Sequence, residues 1–209
     1  MRSTCTRCLR PKTFCVCEGL APVPSRTRVV LLQHPREARL AICSAWLTRI
    51  ALENVELHRG VRFDGDPRVR ELLAAPGTAL LYPGPGSVPA GDASPPPATL
   101  VVIDGTWLQA DRMLRDNPAL AALPRIGLVH DRESGYAGLR REPAEGHLST
   151  IEAVALALGA IERDPARFAP MAEAFRRVVQ LQLDATRTRR NPRHRPRAAP
   201  APTAPGEPE

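Results

Sequence analysis

The chain has two kinds of apolar pattern, and they take turns. Short uninterrupted runs, Arg28-Val-Val-Leu-Leu-Gln33, Thr78-Ala-Leu-Leu-Tyr82 and Leu100-Val-Val-Ile103, read as strands buried on both faces. Val55 to His58 and Arg125 to Val129 read as weaker strands. Between them the spacing turns helical. Glu37 to Leu52 sets Leu40, Cys43, Leu47 and Ile50 on one face, with Trp46 near it as a core residue. Pro67 to Leu73 has proline in its first turn. A helix from Trp107 runs through Ala110, Met113 and Leu114, and a short one covers Leu120 to Leu123. Ser149 to Ile161 is strongly apolar, and a last helix from Pro165 carries Met171, Phe175, Val178, Val179 and Leu183. Strands alternating with helices predict an α/β domain, a mostly parallel sheet flanked by helices.

Proline and glycine mark where these elements stop. His34-Pro35 closes the first strand, since proline gives the ladder no donor; His34 itself reads as a capping residue. Residues 83–98 hold six prolines and three glycines, so no regular element is expected there. The start of that loop, at Tyr82-Pro83-Gly84, lies where a ligand would bind, and its tip, Ser94 to Pro97, reads as an insertion. Residues 131–147 are polar and irregular and include Arg132, Arg140 and Arg141. The expected organisation is a cysteine segment over 1–24, an α/β domain over 25–184 and a disordered, basic, proline-rich tail over 185–209.

Net charge is +7, and the tail's six arginines and two glutamates supply +4 of it. The excess favours an acidic partner such as nucleic acid. No apolar run reaches membrane-span length, and no basic segment with an apolar core opens the chain, so a soluble cytoplasmic protein with no membrane role is expected.

The candidate chemistry gathers at Leu100-Val-Val-Ile-Asp-Gly-Thr-Trp107. Asp104-Gly105 ends a buried strand with turn chemistry, because glycine tolerates positive φ, and Thr106 caps the helix beginning at Trp107. The carboxyl end of a buried strand is where open α/β sheets place ligands. The plainer reading is a capped corner with a buried tryptophan. No phosphate loop, dinucleotide fingerprint or nucleophile elbow is present, which leaves Asp104 as the acid of any site. Ser149 and Glu152 have the spacing of a capping box, and the same helix start can hold an anion or a carboxylate.

Cys5, Cys8, Cys15 and Cys17 form a CxxC followed by a CxC, and Cys43 stands apart as a small core residue. Four sulfurs so close can reach one tetrahedral zinc ion, and disulfides are the weaker alternative in a cytosolic protein. With all four ligating, no position is left for water, so the zinc would be structural. Arg7, Arg10 and Lys12 are expected around the sulfurs, offsetting thiolate charge or facing a phosphate.

An ordered set of motifs resembles the DTW-domain family of tRNA-uridine aminocarboxypropyltransferases. It comprises Cys5-x-x-Cys8 with Cys15-Val-Cys17, Gln33-His34-Pro35 with Glu37, Leu81-Tyr82-Pro83, Asp104-Gly-Thr-Trp107 with Ala110, Leu123-Pro124, Ser134 with Tyr136, and Ser149-Thr-Ile-Glu-Ala153. Trp46 and the segment Tyr136 to Arg140 depart from the usual pattern. The resemblance implies a SPOUT-like knotted fold that binds S-adenosyl-L-methionine. By position, the cofactor loops would be Leu81, Tyr82, Pro83 and Gly84; Ile103, Asp104 and Gly105 through Trp107; and Leu148 to Glu152, with Ser149, Thr150 and Glu152 as contacts. The implied reaction moves the 3-amino-3-carboxypropyl group to N3 of a tRNA uridine. Asp104 would act as general base with its pKa raised by burial, Thr106 would orient the loop, and Trp107 would pack on the cofactor, with base stacking or a core role as alternatives. The partners implied are tRNA and S-adenosylmethionine, with no DNA and no assigned oligomeric state. Two other classes stay open: an RNA methyltransferase, and a non-catalytic zinc RNA-binding module.

Overall fold

A computed structural model describes residues 3–8, 10–40, 42–128 and 148–188. Six strands form one sheet: β1 (Arg28–Gln33), β2 (Val55–Arg59), β3 (Thr78–Leu81), β4 (Val88–Pro89), β5 (Thr99–Asp104) and β6 (Arg125–Gly127). Their order is β2-β1-β5-β3-β6-β4, and every neighbouring pair is parallel. The helices are α1 (Ser44–Ala51), α2 (Pro67–Ala74), α3 (Trp107–Asp116), α4 (Pro118–Ala121), α5 (Thr150–Ile161) and α6 (Pro165–Thr188).

The uninterrupted apolar runs are explained by two covered faces. Val29 and Leu31 of β1, Leu100 and Val102 of β5, and Ala79 and Leu81 of β3 pack with α1, α5 and α6. The alternate residues Val30, Leu32, Val101 and Leu80 face Val69 and Leu72 of α2, Met113 and Leu114 of α3, and Leu120 of α4. Phe168 and Phe175 of α6 are fully buried, and truncating either to alanine would cost about 3–5 kcal/mol. Gly159 lets α5 and α6 approach: a Cβ there would lie 2.9 Å from Pro165 Cα. At the amino ends of the strands, Glu162 accepts from the backbone N–H groups of Arg26 (2.8 Å) and Thr27 (3.1 Å) and from Arg167 Nη1 (3.0 Å).

The structure differs from the sequence pattern in four places. The helix expected over Glu37–Leu52 is a single 3-10 turn, Glu37–Arg39, then extended chain, then α1. Cys43 takes φ −102° and ψ 99°, and its sulfur lies 3.1 Å from Gln33 Nε2, so a tertiary contact overrides the periodicity. The proline-rich loop is not wholly irregular. Val88–Pro89 pairs with β6 as an edge strand, where proline is tolerated, and Ala90 is buried in the core. Gly105 has no positive φ; it meets a space limit, since a Cβ would lie 3.2 Å from Gln109 Cβ. Finally, α6 runs through Thr188, so the boundary expected at 184/185 falls inside a helix.

Val129, Arg132, Ser134, Tyr136, Arg140 and Arg141, and the tail from Arg189, lie outside the described residues. So does the path from β6 to α5, on which the expected knot turns. Among the described residues no helix is long and apolar enough to cross a membrane.

The cysteine segment shares the main core. Cys8, Val16 and Leu20 are buried with α1, α5 and α6. Arg7 ties it down by donating to the carbonyls of Leu20 (2.7 Å), Cys17 (3.4 Å) and Ile50 (2.9 Å). Its guanidinium therefore serves as a clamp between this segment and α1, a different task from the charge balance expected of it.

Candidate active site and cysteine cluster

Parallel register puts three polar side chains in a row at the carboxyl ends of the strands. Gln33 is the register partner of Arg59 on β2 and of Asp104 on β5. Gln33 Nε2 donates to Asp104 Oδ2 at 2.8 Å, and Arg59 Nε donates to Gln33 Oε1 at 3.0 Å. From the facing helix, Thr150 Oγ1 donates to Asp104 Oδ1 at 2.5 Å. Asp104 is 5% exposed and Gln33 is fully buried, whereas Arg59 is exposed. Donors on both carboxylate oxygens favour the charged form, which opposes the effect of burial.

Two cavities meet beside Asp104. The larger, about 290 Å³, has apolar walls that include Leu81, Tyr82, Pro83, Ile103 and Trp107. The smaller, about 80 Å³, is polar, with Glu37, Cys43, Ser44, Asp104 and Ser149 in its walls. Gly105, Leu148 and Thr150 line both. The amino ends of α1 and α5 therefore reach one small chamber with two carboxylates in its wall. The larger volume is near the lower end of small-molecule sites.

Tyr82 and Trp107 form one wall, edge to face, with ring centroids 5.6 Å apart. Tyr82 donates its hydroxyl to Asp111 Oδ1 at 2.6 Å, and Arg125 lies over its ring at 5.6 Å. Burial, with Asp111 alongside, pushes the Tyr82 phenol well above its ordinary range. It is a neutral donor at any working pH. Trp107 is 40% exposed and Leu108 77%, so the rim at the start of α3 is apolar and open.

The sites expected from sequence fall into three groups. Leu81, Tyr82, Pro83, Ile103, Gly105, Trp107 and Thr150 line the apolar cavity. Asp104 and Ser149 line the polar chamber. Gly84, Thr106 and Glu152 line neither. Gly84 turns the chain at φ +140°, with Arg125 crowding the place of its missing Cβ. Thr106 caps α3 by accepting from Gln109 N–H at 3.3 Å, while its own N–H donates to Gln109 Oε1 at 2.7 Å. Glu152 accepts from Ser149 N–H (3.0 Å) and Oγ–H (2.6 Å), the capping-box bond, and borders a separate space of about 350 Å³ between α5 and α6. His34 is a local cap, its Nδ1 accepting from Arg36 N–H.

Gln33, Arg59 and Cys43 were not singled out as site residues by the sequence pattern. The available signal was a glutamine ending the apolar run of β1; its neighbours across the sheet follow only from the register. Cys43 is half-buried in the polar chamber's wall, with its thiol pushed up by burial. Trp46 is half-buried beneath Arg59, 5.8 Å from its guanidinium, and its indole N–H is buried without a hydrogen-bond partner.

The four sulfurs of Cys5, Cys8, Cys15 and Cys17 all lie within 4.8 Å of one another, and all four cysteines are free. Cys8 and Cys15 Sγ are 3.7 Å apart, against about 3.8 Å for sulfurs tetrahedral around zinc at Zn–S of about 2.3 Å. Backbone N–H groups of Cys8 and Arg7 hold the Cys5 thiol down to about 6. Burial pushes Cys8 and Cys17 up, and neighbouring sulfurs push Cys17 further. A divalent ion reverses that opposition by making the thiolates its ligands. The donor set and spacing fit a closed, structural zinc site.

A family profile for the DTW domain matches residues 2–183. A Drosophila melanogaster protein named tRNA-uridine aminocarboxypropyltransferase 2 is 34% identical over 88% of this chain and 76% of its own length. An Arabidopsis thaliana tRNA-uridine aminocarboxypropyltransferase A is 31% identical over 78% of this chain and 74% of its own. A Macaca fascicularis tRNA-uridine aminocarboxypropyltransferase 2 is 30% identical over 78% of this chain and 58% of its own. No solved structure matches.

Proposed function

The chain belongs to the DTW-domain family, and from that premise we propose that it transfers the 3-amino-3-carboxypropyl group of S-adenosyl-L-methionine to N3 of a uridine in tRNA. The observation that carries this reading is the pair of unlike cavities that share Gly105, Leu148 and Thr150 in their walls, with Asp104 lining the polar one. The donor is a sulfonium with three carbons open to attack, so an enzyme of this kind must choose among them by placement. The apolar cavity, walled by Tyr82 and Trp107, suits an adenosyl group, with Leu81, Pro83, Ile103 and Gly105 completing its surface. The polar chamber suits an amino acid end: Glu37 for an ammonium group, and the starts of α1 and α5, at Ser44, Ser149 and Thr150, for a carboxylate. Anchoring the two ends this way leaves the chain between them at the junction lined by Gly105 and Thr150.

Asp104, next to Gly105 and bonded to Thr150 in the wall of the polar chamber, accepts the N3 proton of the uridine. Gln33 and Thr150 donate to its two oxygens, which favours the charged form and opposes the effect of burial. The proton therefore leaves as the new N–C bond forms, when N3 has become strongly acidic, and not beforehand. Thr106 orients the loop through its cap, Gly84 turns the chain beneath Arg125, and Glu152 holds Ser149 at the start of α5. The cysteine segment 1–24 would hold a structural zinc against the catalytic domain, whose last helix runs on to Thr188, and the basic residues from Arg187 add salt-sensitive affinity for tRNA. We place the reaction in the cytoplasm, the setting in which cysteines stay reduced and open to a metal.

Purified protein, unmodified tRNA and S-adenosylmethionine, followed by nuclease digestion and mass spectrometry of the nucleosides, test this directly. Aminocarboxypropyl-uridine with released methylthioadenosine is expected; a methylated nucleoside would replace the reading with methyl transfer. Elemental analysis is expected to find one zinc per chain.

A further inference from the structure

Gln33 has no surface and no freedom, yet it is polar, and this combination asks for a reason. Its amide has two N–H groups and one oxygen, and all three are placed. Nε2 faces Asp104 Oδ2 (2.8 Å) and Cys43 Sγ (3.1 Å), while Oε1 faces Arg59 Nε (3.0 Å). Arginine only donates, so it holds the oxygen on its own side and turns the N–H pair toward the carboxylate. A flipped amide would set its oxygen against Asp104 and its N–H groups against a cation. Thr150 grips the other carboxylate oxygen from α5.

We infer that Gln33, oriented by Arg59, is a positioning residue that fixes the Asp104 carboxylate in its angle and its charged state for the transfer. The inference rests on the reading of Asp104 as the proton acceptor. Its origin is the register: Arg59, Gln33 and Asp104 are cross-strand neighbours on β2, β1 and β5, so a surface cation is tied to a buried acid through one amide. Neighbours that orient metal ligands in this way typically change affinity or activity by about 10- to 100-fold, and an effect of that size is expected here.

The test is the pH profile of turnover for Gln33→Met, Gln33→Glu and Arg59→Met, with Asp104→Asn alongside. Gln33→Met keeps the length and removes both bonds. Its kcat is expected to fall about 10- to 100-fold, with KM for tRNA and for S-adenosylmethionine nearly unchanged. The acid limb of its profile should move to higher pH, because the carboxylate has lost a donor that favoured its charge. Gln33→Glu keeps the acceptor for Arg59 but faces Asp104 with a like charge, and should move the limb further the same way. Arg59→Met, at the exposed end, should move it in the same direction by less, and so covers a Gln33 variant that fails to fold. An unmoved acid limb in Arg59→Met and in whichever Gln33 variants fold overturns the inference, whatever their rates. If Asp104→Asn keeps near-full turnover, the base reading falls and this one with it. If Asp104→Asn is inactive and the Gln33 limb is unmoved, only the positioning role is lost.

Discussion

Asp104 and Glu162 are both buried carboxylates, 5% and 6% exposed, at opposite ends of the same sheet. Glu162, at the amino ends, is met by two backbone N–H groups and two arginines, Arg26 at 3.6 Å and Arg167 at 3.0 Å. It fastens α5 and α6 to the entrance of β1. Among the described residues, Asp104, at the carboxyl ends, accepts from an amide and a hydroxyl, and it forms part of a cavity wall. Burial alone therefore does not mark a reactive acid. What separates the two is whether space for a ligand adjoins the carboxylate.

This comparison breaks if Asp104 proves structural or Glu162 proves catalytic. Asp104→Asn keeps the shape and removes the proton acceptor. Its kcat should fall about a thousandfold, equivalent to about 4 kcal/mol of transition-state stabilisation. Binding of S-adenosylmethionine by calorimetry should stay within a few-fold. Turnover within tenfold of the parent would make Asp104 a cap and nothing more. Glu162→Gln should do the reverse, leaving kcat per folded molecule intact and lowering urea-unfolding stability by about 2–3 kcal/mol, since the amide oxygen can still serve the two backbone N–H groups but the two arginines lose the charged oxygen they face. The lower end is expected because Arg26 is 77% exposed.

Thr150→Val sharpens the account of aim. It removes the hydroxyl donated to Asp104 but keeps the β-branched shape at the start of α5. A hydrogen bond to a charged group contributes about 1.5–3 kcal/mol, so turnover should fall about tenfold or somewhat more. The loss of stability should stay within that one bond's contribution, because Ser149 and Glu152 keep the helix capped. A large loss of stability with full activity per folded molecule would show that Thr150 serves the fold and not the acid.

Much of this contrast was legible in the sequence, and the rest was hidden for a physical reason. The apolar runs of β1, β3 and β5 and the caps at Thr106 and Ser149 are local signals, and they fell where the pattern put them. The Cys5, Cys8, Cys15, Cys17 cluster was legible from spacing alone. Gln33 and Glu162 were not, because what makes each important is a neighbour far along the chain: Asp104 is 71 residues from Gln33, and Arg26 is 136 from Glu162. The break before α1 was missed for the same cause, since Cys43 is drawn out of the helix by Gln33. Periodicity reads one element at a time, while register and tertiary hydrogen bonds join elements.

A third carboxylate sets the lower end of the scale. Glu56, on edge strand β2, takes a two-pronged grip from Arg68, at 2.7 and 3.0 Å, yet its side chain is 29% exposed and that of Arg68 is 42%. Arg68 holds its carboxyl below the usual 4.5. A folded-state value below the unfolded one gives stability that is complete above the unfolded value and is lost as pH falls through the folded one. Water screens the pair, so the contribution should be under about 1 kcal/mol despite geometry as good as that around Glu162. Urea unfolding of the parent and of Glu56→Gln should differ by that small amount at pH 7 and converge once the pH falls below the folded-state value of Glu56. A difference that persists in acid would mean the side chain contributes by packing. A difference as large at pH 7 as that of Glu162→Gln would mean that partners, and not burial, set what these carboxylates contribute to stability.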